Sequence, residues 1–258
     1  TLRGPRLASR PMTQRPRALK VYDELVKLYF ADKVSMADVY VFNLAELGLG
    51  NADRQHSMMS RLEAHLVSKV DLRPDNVFTF DRDATQENVH RLCKAYEAQI
   101  AELGGLDLVV CELSPAATLA FNEPGSTSNS KCRLMLLGGD TRRRAAEAFQ
   151  SETAPATAVT LGIANILQAR HIIAVAWGNN CAKPLVDTIE GRMSELTPAS
   201  YLQLHDSVKV IADLDAASQL TRINYPWRVT GCQWTDKLIR RAIVWLCGIT
   251  GQPALQPT

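Results

Sequence analysis

The chain has 258 residues, of which 46% are hydrophobic and 22% charged, and its formal net charge at pH 7 is +2. These values are typical of a globular protein that can bury a sizeable core, and they exclude collagen-like, disordered and coiled-coil chains. Apolar runs such as residues 172–177 are far shorter than the ~20 residues that a membrane span requires, so we expect no membrane insertion.

The spacing of apolar residues predicts a chain that alternates between helices and strands. In chain order the predicted elements are helix 18–30, strand 38–43, helices 53–70 and 85–103, strands 107–112, 132–137 and 157–161, a short helix to about residue 169, strand 171–177, helix 183–193, strand 208–212, and helices 213–220 and 235–247. Thr235 is a candidate N-cap of the last helix, and Gly248 lies just beyond its predicted end.

This order of elements predicts an α/β fold with a mostly parallel sheet. Strands that alternate with helices favour parallel pairing through right-handed crossovers. Because the strands are continuous apolar runs, we expect helices on both faces of the sheet. The inner strands are predicted at residues 39–43, 108–112 and 172–177.

The predicted domain organisation is one α/β domain with an extension at each end. Residues 1–17 are rich in Arg and Pro and show no strand pattern, although a sheet of this type usually begins with a strand. An N-terminal strand is therefore apparently missing, and we expect an irregular basic extension there. The α/β domain is predicted at residues 18–224, and a Trp-rich helical extension at residues 225–258.

The basic residues are unevenly distributed along the chain. Residues 1–22 contain six of the 29 basic residues and no acidic residue, so the remainder is mildly acidic. Because nucleic-acid-binding domains normally carry a basic face, we expect no nucleic-acid partner. The basic segment could be a phosphate-binding arm, a solvated tail or a transit peptide. We expect a cytoplasmic protein, with a mitochondrial or other organellar location as the alternative.

The six cysteines include no CxxC pair, and the five histidines show no HxH or HExxH spacing. Zinc sites need clustered soft ligands, so the sequence predicts neither a metal nor any other cofactor. Several cysteines lie in apolar stretches, which indicates reduced, buried thiols that behave as small hydrophobes rather than a disulfide framework.

The segment 119–126, LAFNEPGS, has the composition of a loop that leaves the edge of a sheet. Glu123 is a candidate acid or base in this loop, and Asn122 is a candidate hydrogen-bond donor to a substrate. The alternative is a structural turn, in which Pro124 sets φ and Gly125 supplies a left-handed position.

Four stretches in order carry a resemblance to a known family. They are FNLAELGL at 42–49, AFNEPGS at 120–126, TLGIANILQARHIIAVAWG at 160–178 and ASYLQLH at 199–205. Together they resemble the glucosamine-6-phosphate deaminase/isomerase family over about residues 21–220, which implies a Rossmann-like fold of the sugar-phosphate isomerase/deaminase type. Residues 225–253 resemble a bacterial subgroup in which a deaminase-like domain precedes a deacetylase-like domain.

The resemblance implies a mechanism in which a carboxylate shuttles a proton between C1 and C2 of the opened amino sugar, and ammonia is expelled. The family's shuttle is the Asp of an FNxDE motif, where this chain has Ala45 followed by Glu46. The position of the ring-opening His is occupied by Thr118. A methyl group cannot transfer a proton, and a Thr hydroxyl has no pKa suited to acid–base catalysis near neutrality. Glu123 matches the family's relay carboxylate.

The phosphate-binding positions implied by the resemblance also differ. The family's Gly-rich loop, which holds phosphate at a helix N-terminus, corresponds to residues 13–17, TQRPR, without glycine. Glu147 stands where the family has a phosphate-binding Arg, and Cys181 where it has a Lys. Lys183 and Arg142, together with Asn122, remain candidate substrate-binding residues that could compensate.

These replacements predict a catalytically degenerate protein of this family that serves as a structural or interaction subunit. One alternative is an active sugar-phosphate isomerase, deaminase or hydrolase that uses Glu46, Glu123 and Lys183. Another is a sensor that binds a sugar phosphate without turnover. The expected partner is another protein or a second copy of the chain, with a sugar phosphate as a further possibility.

The C-terminal extension contains three of the four tryptophans, Trp227, Trp234 and Trp245. The predicted last helix has a broad apolar surface, formed by Leu238, Ala242, Trp245 and Leu246 and widened by Ile239, Ile243 and Val244. This surface could pack onto the chain's own sheet, or it could dock onto another chain or domain, since large exposed apolar patches mark interaction sites.

Overall fold

The computed structural model describes residues 18–49, 57–80, 84–229 and 231–253. The predicted basic extension, residues 1–17, lies outside the described residues, and so does the prediction that an N-terminal strand is missing there. The α-helices are α1 (Ala18–Phe30), α2 (Met58–His65), α3 (Val89–Glu102), α4 (Gly139–Phe149), α5 (Ile163–Leu167), α6 (Ala182–Ile189), α7 (Leu214–Ala217), α8 (Thr221–Asn224) and α9 (Asp236–Thr250). The strands are β1 (Val41–Phe42), β2 (Ala45–Leu47), β3 (Val77–Phe78), β4 (Leu108–Glu112), β5 (Arg133–Leu136), β6 (Thr157–Thr160), β7 (His171–Ala176) and β8 (Val208–Ala212).

The strands form a mixed α/β fold with three small sheets. β4, β7 and β8 form a parallel sheet in that order, and β1 pairs with β3, also in parallel. The third sheet has the order β2–β6–β5 and is antiparallel throughout. Leu161 N–H donates to the Leu44 carbonyl at 2.9 Å, so the backbone beside β1 is hydrogen-bonded to the end of β6.

The antiparallel sheet departs from the prediction of mostly parallel strand pairing. Leu136, at the end of β5, is the register partner of Thr157, at the start of β6. The intervening α4 therefore returns the chain to the sheet end that it left, whereas a crossover would carry it to the opposite end. Ala145 and Ala146 of α4 pack against Leu137 in the core at this end.

The parallel sheet carries the largest apolar core. Val109 of β4 and Ile172 of β7 are about 1% exposed, and they pack with Ile163 of α5 and Leu185 of α6. On the other face of β4, Leu108 is 50% exposed and Val110 39%. The expected helices on both faces are thus not found over β4, which alternates between buried and exposed residues as a half-buried strand does.

All six cysteines are free. Cys93, Cys111, Cys132 and Cys181 are buried, whereas Cys232 and Cys247 are half-buried. Burial raises the pKa of Cys111 to about 12, so its thiol stays protonated at neutral pH. The prediction that most of the cysteines are reduced core residues is confirmed by these positions.

The last helix differs from its prediction at one end. The Thr235 hydroxyl accepts a hydrogen bond from Leu238 N–H at 3.3 Å, so the predicted N-cap is confirmed. The helix continues through Gly248 and ends at Thr250, with Gly251 in the left-handed region at φ +67°. Gly251 rather than Gly248 therefore supplies the C-terminal turn. Over the described residues, no helix is long and apolar enough to cross a bilayer.

Gly162 allows α5 to approach the loop before β5. A Cβ at Gly162 would lie 2.0 Å from the Ser130 carbonyl oxygen and 2.4 Å from that of Lys131. Both neighbours are backbone atoms, which cannot move away as a flexible side chain can. We therefore expect Gly162→Ala to destabilise the protein by at least the ~1–3 kcal/mol typical of overpacking, measured as the free energy of unfolding in urea.

Gly248→Ala is the matched control. Gly248 lies inside α9, and a Cβ there would meet no atom within 4 Å. Replacing a helical glycine with alanine should stabilise the chain by roughly 0.5–1 kcal/mol. A Gly162→Ala protein as stable as the unmodified chain would contradict the packing described for α5.

Candidate functional site

The FNEPGS segment forms a tight turn at the edge of the antiparallel sheet. Ser126 N–H donates to the Glu123 carbonyl at 3.0 Å, and Gly125 has φ +96°. Proline at the second position and a left-handed glycine at the third are the signature of a type II turn. The predicted structural roles of Pro124 and Gly125 are therefore confirmed.

Asn122 lies inside this loop and is fully buried. Its amide nitrogen donates to the carbonyls of Leu119 and Leu161 at 3.0 and 2.9 Å. Its amide oxygen accepts a hydrogen bond from the Arg133 guanidinium at 3.1 Å. Because these contacts occupy both ends of the side chain, Asn122 connects the loop to β5 and to the end of β6.

Arg133 is a residue of the site that the sequence analysis missed. Its guanidinium also donates to the Ser126 hydroxyl at 2.7 Å and to the Lys131 carbonyl at 3.0 Å. Burial lowers its pKa from the ordinary value. A basic residue inside the predicted strand 132–137 was the available signal, because a charge in an apolar strand needs a partner.

Glu123 keeps a partly exposed side chain, unlike the buried Asn122 beside it. Its carboxylate lies close to Gly138, where a Cβ would be 3.5 Å from Oε2. The backbone of Glu123 forms the turn, with its carbonyl accepting from the Ser126 hydroxyl at 2.7 Å. The carboxylate therefore faces the start of α4.

The carboxylate of Glu46 is engaged in hydrogen bonds, whereas a catalytic acid or base would need a free carboxylate. Its carboxylate accepts hydrogen bonds from Met58 N–H at 2.6 Å, Met59 N–H at 3.0 Å and the Ser57 hydroxyl at 3.2 Å. These groups form the N-terminus of α2, where the first backbone N–H groups have no partner within the helix. A carboxylate there also interacts favourably with the helix dipole. Glu46 thus caps α2.

The two positions aligned with the family's proton-transfer residues are buried. Ala45 is 5% exposed and lies in β2 opposite Thr160 of β6. Thr118 is 3% exposed, and its hydroxyl is 2.7 Å from the hydroxyl of Ser114. The intervening Ala117 has φ +53°, so this loop keeps a left-handed position without the glycine that favours it.

The candidate cations lie on helix surfaces. Lys183 forms an ion pair with Asp187, one turn along α6. Arg142 is exposed on α4, and the neighbouring Arg143 pairs with Asp140 at 2.7 Å. Glu147 is also exposed on α4. Because Asp187 already neutralises Lys183, that residue does not offer a free charge to a phosphate.

Two cavities are bounded by described residues away from these positions. One, of about 280 Å³, lies between α3, Phe80 and Val159 of β6. The other, of about 400 Å³, lies between Trp227 and α9. Neither is lined by Ala45, Thr118 or Glu123. In the part of the chain that the structure describes, no three His, Cys, Asp or Glu side chains form a potential metal site.

The fold matches solved structures of enzymes that act on sugar phosphates. A monomeric glucosamine-6-phosphate deaminase aligns with a TM-score of 0.74 and 29% identity, covering 79% of this chain and 84% of that one. A 6-phosphogluconolactonase from Trypanosoma cruzi aligns with a TM-score of 0.62 over 80% of this chain and 81% of that chain, but at 19% identity it shares the fold alone. No family model matches the chain.

Sequence relatives define the family more closely. The glucosamine-6-phosphate deaminase of Beutenbergia cavernae is 36% identical over 80% of this chain and 79% of its own length. The chain therefore belongs to the glucosamine-6-phosphate deaminase family. A deaminase-like protein of Bacteroides thetaiotaomicron is 40% identical over 92% of this chain, and the chain spans only 36% of that relative's length.

The capping role of Glu46 can be measured as stability. We expect Glu46→Ala to lower the free energy of unfolding by about 1–3 kcal/mol, because hydrogen bonds to a charged group are lost at the start of α2. Glu147→Ala, at an exposed position on α4, should change it by no more than ~0.5 kcal/mol. Urea unfolding followed by circular dichroism compares the two. Equal stability of both variants would contradict the capping role.

Proposed function

We propose that this protein is a catalytically inactive member of the glucosamine-6-phosphate deaminase family that serves as a structural or interaction subunit. The observation that carries the proposal is the pairing of Ala45 with Thr160 in β2 and β6. The position of the family's proton shuttle thus holds a buried methyl group, which has no proton to transfer at neutral pH.

The neighbouring polar groups are committed to other contacts. Glu46, the nearest carboxylate in sequence to Ala45, accepts hydrogen bonds from the N-terminus of α2. The Thr118 hydroxyl, at the position of the ring-opening His, is paired with Ser114. A general acid or base must reach the reacting atom with a suitable pKa, and neither group is free to do so. Glu123 alone cannot supply both proton transfers.

The charge around the aligned phosphate positions supports the same proposal. Glu147 would repel a phosphate at the position of the family's Arg, and Lys183 is neutralised by Asp187. Arg142 is exposed on the surface of α4, where a basic side chain is commonly solvated. Because a phosphate group needs fixed donors or net positive charge, we also expect no tight binding of a sugar phosphate.

The cellular location follows from the relatives. The deaminases to which the chain is similar are bacterial, and they give no support to the organellar alternative. We therefore propose a cytoplasmic location for this protein.

The first test is ammonia release from glucosamine-6-phosphate. We expect the purified chain to release no more ammonia than a blank without protein, because Ala45 and Thr118 cannot move the required protons. The Beutenbergia cavernae deaminase, assayed in parallel, is the positive control. Turnover by the unmodified chain would refute the proposal. Isothermal titration with the same sugar phosphate separates a sensor, which would bind without turnover, from a protein that does not bind it.

The second test restores the two proton-transfer groups. We expect the double variant Ala45→Asp, Thr118→His to remain inactive, because Glu147 still opposes the phosphate and the cations remain occupied or solvated. The ammonia assay and a urea-unfolding curve are measured on the same preparation, so that loss of folding is recognised. A folded double variant that releases ammonia would mean that two substitutions alone account for the inactivity.

A further inference from the structure

The segment before α9 and the helix itself share a cluster of aromatic rings. The ring centroid of Trp227 lies 6.1 Å from that of Trp234 and 6.0 Å from that of Trp245, and Tyr225 is 5.8 Å from Trp227. Arg241 donates to the Asn224 carbonyl at 2.7 Å. These contacts hold the inner face of α9 against residues 223–227.

A cleft of about 400 Å³ opens beside this cluster, between Tyr225 and Trp227 on one side and α9 on the other. Trp227 lines this cleft, and its indole nitrogen is buried and has no hydrogen-bond partner among the described residues. Buried polar groups in native proteins nearly always find a partner. The concave, aromatic shape of the cleft suits an inserted protein side chain that carries an acceptor.

The outer face of α9 is apolar and exposed. Ile239, Ile243 and Leu246 follow at intervals of four and three residues, and they are 42%, 42% and 52% exposed. Val244 is 71% exposed and Ile249 64%, and no residue of α9 is fully buried. Together with Trp234, 55% exposed, these five residues are exposed apolar side chains of the C-terminal segment, and we call them the α9 face; Val244 lies where this face borders the cleft.

The charges around the α9 face argue against a second copy of the chain as its partner. Residues 225–253 contain four basic side chains, Arg228, Lys237, Arg240 and Arg241, and a single acidic one, Asp236. A two-fold dimer would place equivalent patches against each other, which brings like charges together. A partner with an acidic rim would be complementary to this surface.

The longer relative indicates where such a partner is found. Its match spans 239 residues of this chain's 258, so it includes residues 225–237 at the base of the α9 face. The same relative is almost three times as long as the matched region, because the match covers 36% of it. At least residues 225–237 of the C-terminal segment are therefore shared with a polypeptide that carries a large additional part.

We propose that the α9 face is the docking surface for a protein domain with an apolar centre and an acidic rim, of the kind contained in the additional part of the Bacteroides relative. The exposed Ile and Leu side chains bury against the centre of that domain, and Arg228 and Arg240 meet its acidic rim. One of its side chains enters the Trp227 cleft and accepts from the indole N–H. This inference does not depend on whether the chain is catalytically active.

The experiment titrates the purified 258-residue chain with the separately purified additional part of the Bacteroides relative, using isothermal calorimetry and hydrogen exchange. We expect saturable binding and slower exchange of the α9 amides. The variant Val244→Glu should weaken binding at least tenfold, because it places a charge in the apolar centre. Leu196→Glu is the matched control, since Leu196 is 76% exposed outside the α9 face, and it should bind as the unmodified chain does.

Four outcomes would overturn the proposal. The first is no binding at all, and the second is binding that Val244→Glu leaves unchanged. The third is self-association of the chain, seen by analytical ultracentrifugation and abolished by Val244→Glu, because it assigns the α9 face to a second copy. The fourth is Val244-dependent binding to vesicles of phosphatidylserine and phosphatidylcholine, because it assigns the face to a membrane surface.

Discussion

The buried amide of Asn122 is the contact on which the loop at the candidate site depends. It joins Leu119 in the loop, Leu161 after β6 and Arg133 of β5 in one hydrogen-bonded unit. A buried polar group left unpaired costs about 1–3 kcal/mol, so these partners hold one another in place. The turn at Pro124 and Gly125 follows from this anchoring. The shape of the loop thus has an architectural cause, which does not depend on whether its neighbours perform any chemistry.

Glu46 illustrates the same separation of architecture from chemistry. In the motif FNLAE, Ala45 places a methyl group in the buried strand β2. Glu46, which follows it, caps the N-terminus of α2. The alternation of side chains in β2 directs these neighbours to opposite faces. One residue therefore faces the sheet interior and its neighbour reaches a helix end. Glu46 therefore has a structural role that does not depend on the residue at position 45.

The sequence predicted the elements with local patterns better than the pairings between distant segments. Helix 18–30 and strand 208–212 coincide with α1 and β8, because apolar periodicity and β-branched runs are local signals. β1 lies inside the predicted strand 38–43, but the short strands β2 and β3 depend on partners far along the chain, and no local pattern reveals them. For the site, the i, i+4 spacing of Lys183 and Asp187 could have indicated an ion pair. The partners of Glu46 could not have been inferred, because they depend on how α2 docks against β2.

The energetics of α9 connect its exposed face with its stability. A helix of 15 residues is marginal in water without tertiary packing, and α9 has no fully buried residue. Its support comes from the Thr235 cap and from Tyr225 and Trp227, which contact its inner face at Trp245. Ile243 and Leu246 are 42% and 52% exposed, so a domain that covers them would add about half of the roughly 1.5–3 kcal/mol that full burial of each side chain contributes. A partner that binds only the folded helix would thereby stabilise it, so docking and helix formation would be thermodynamically coupled.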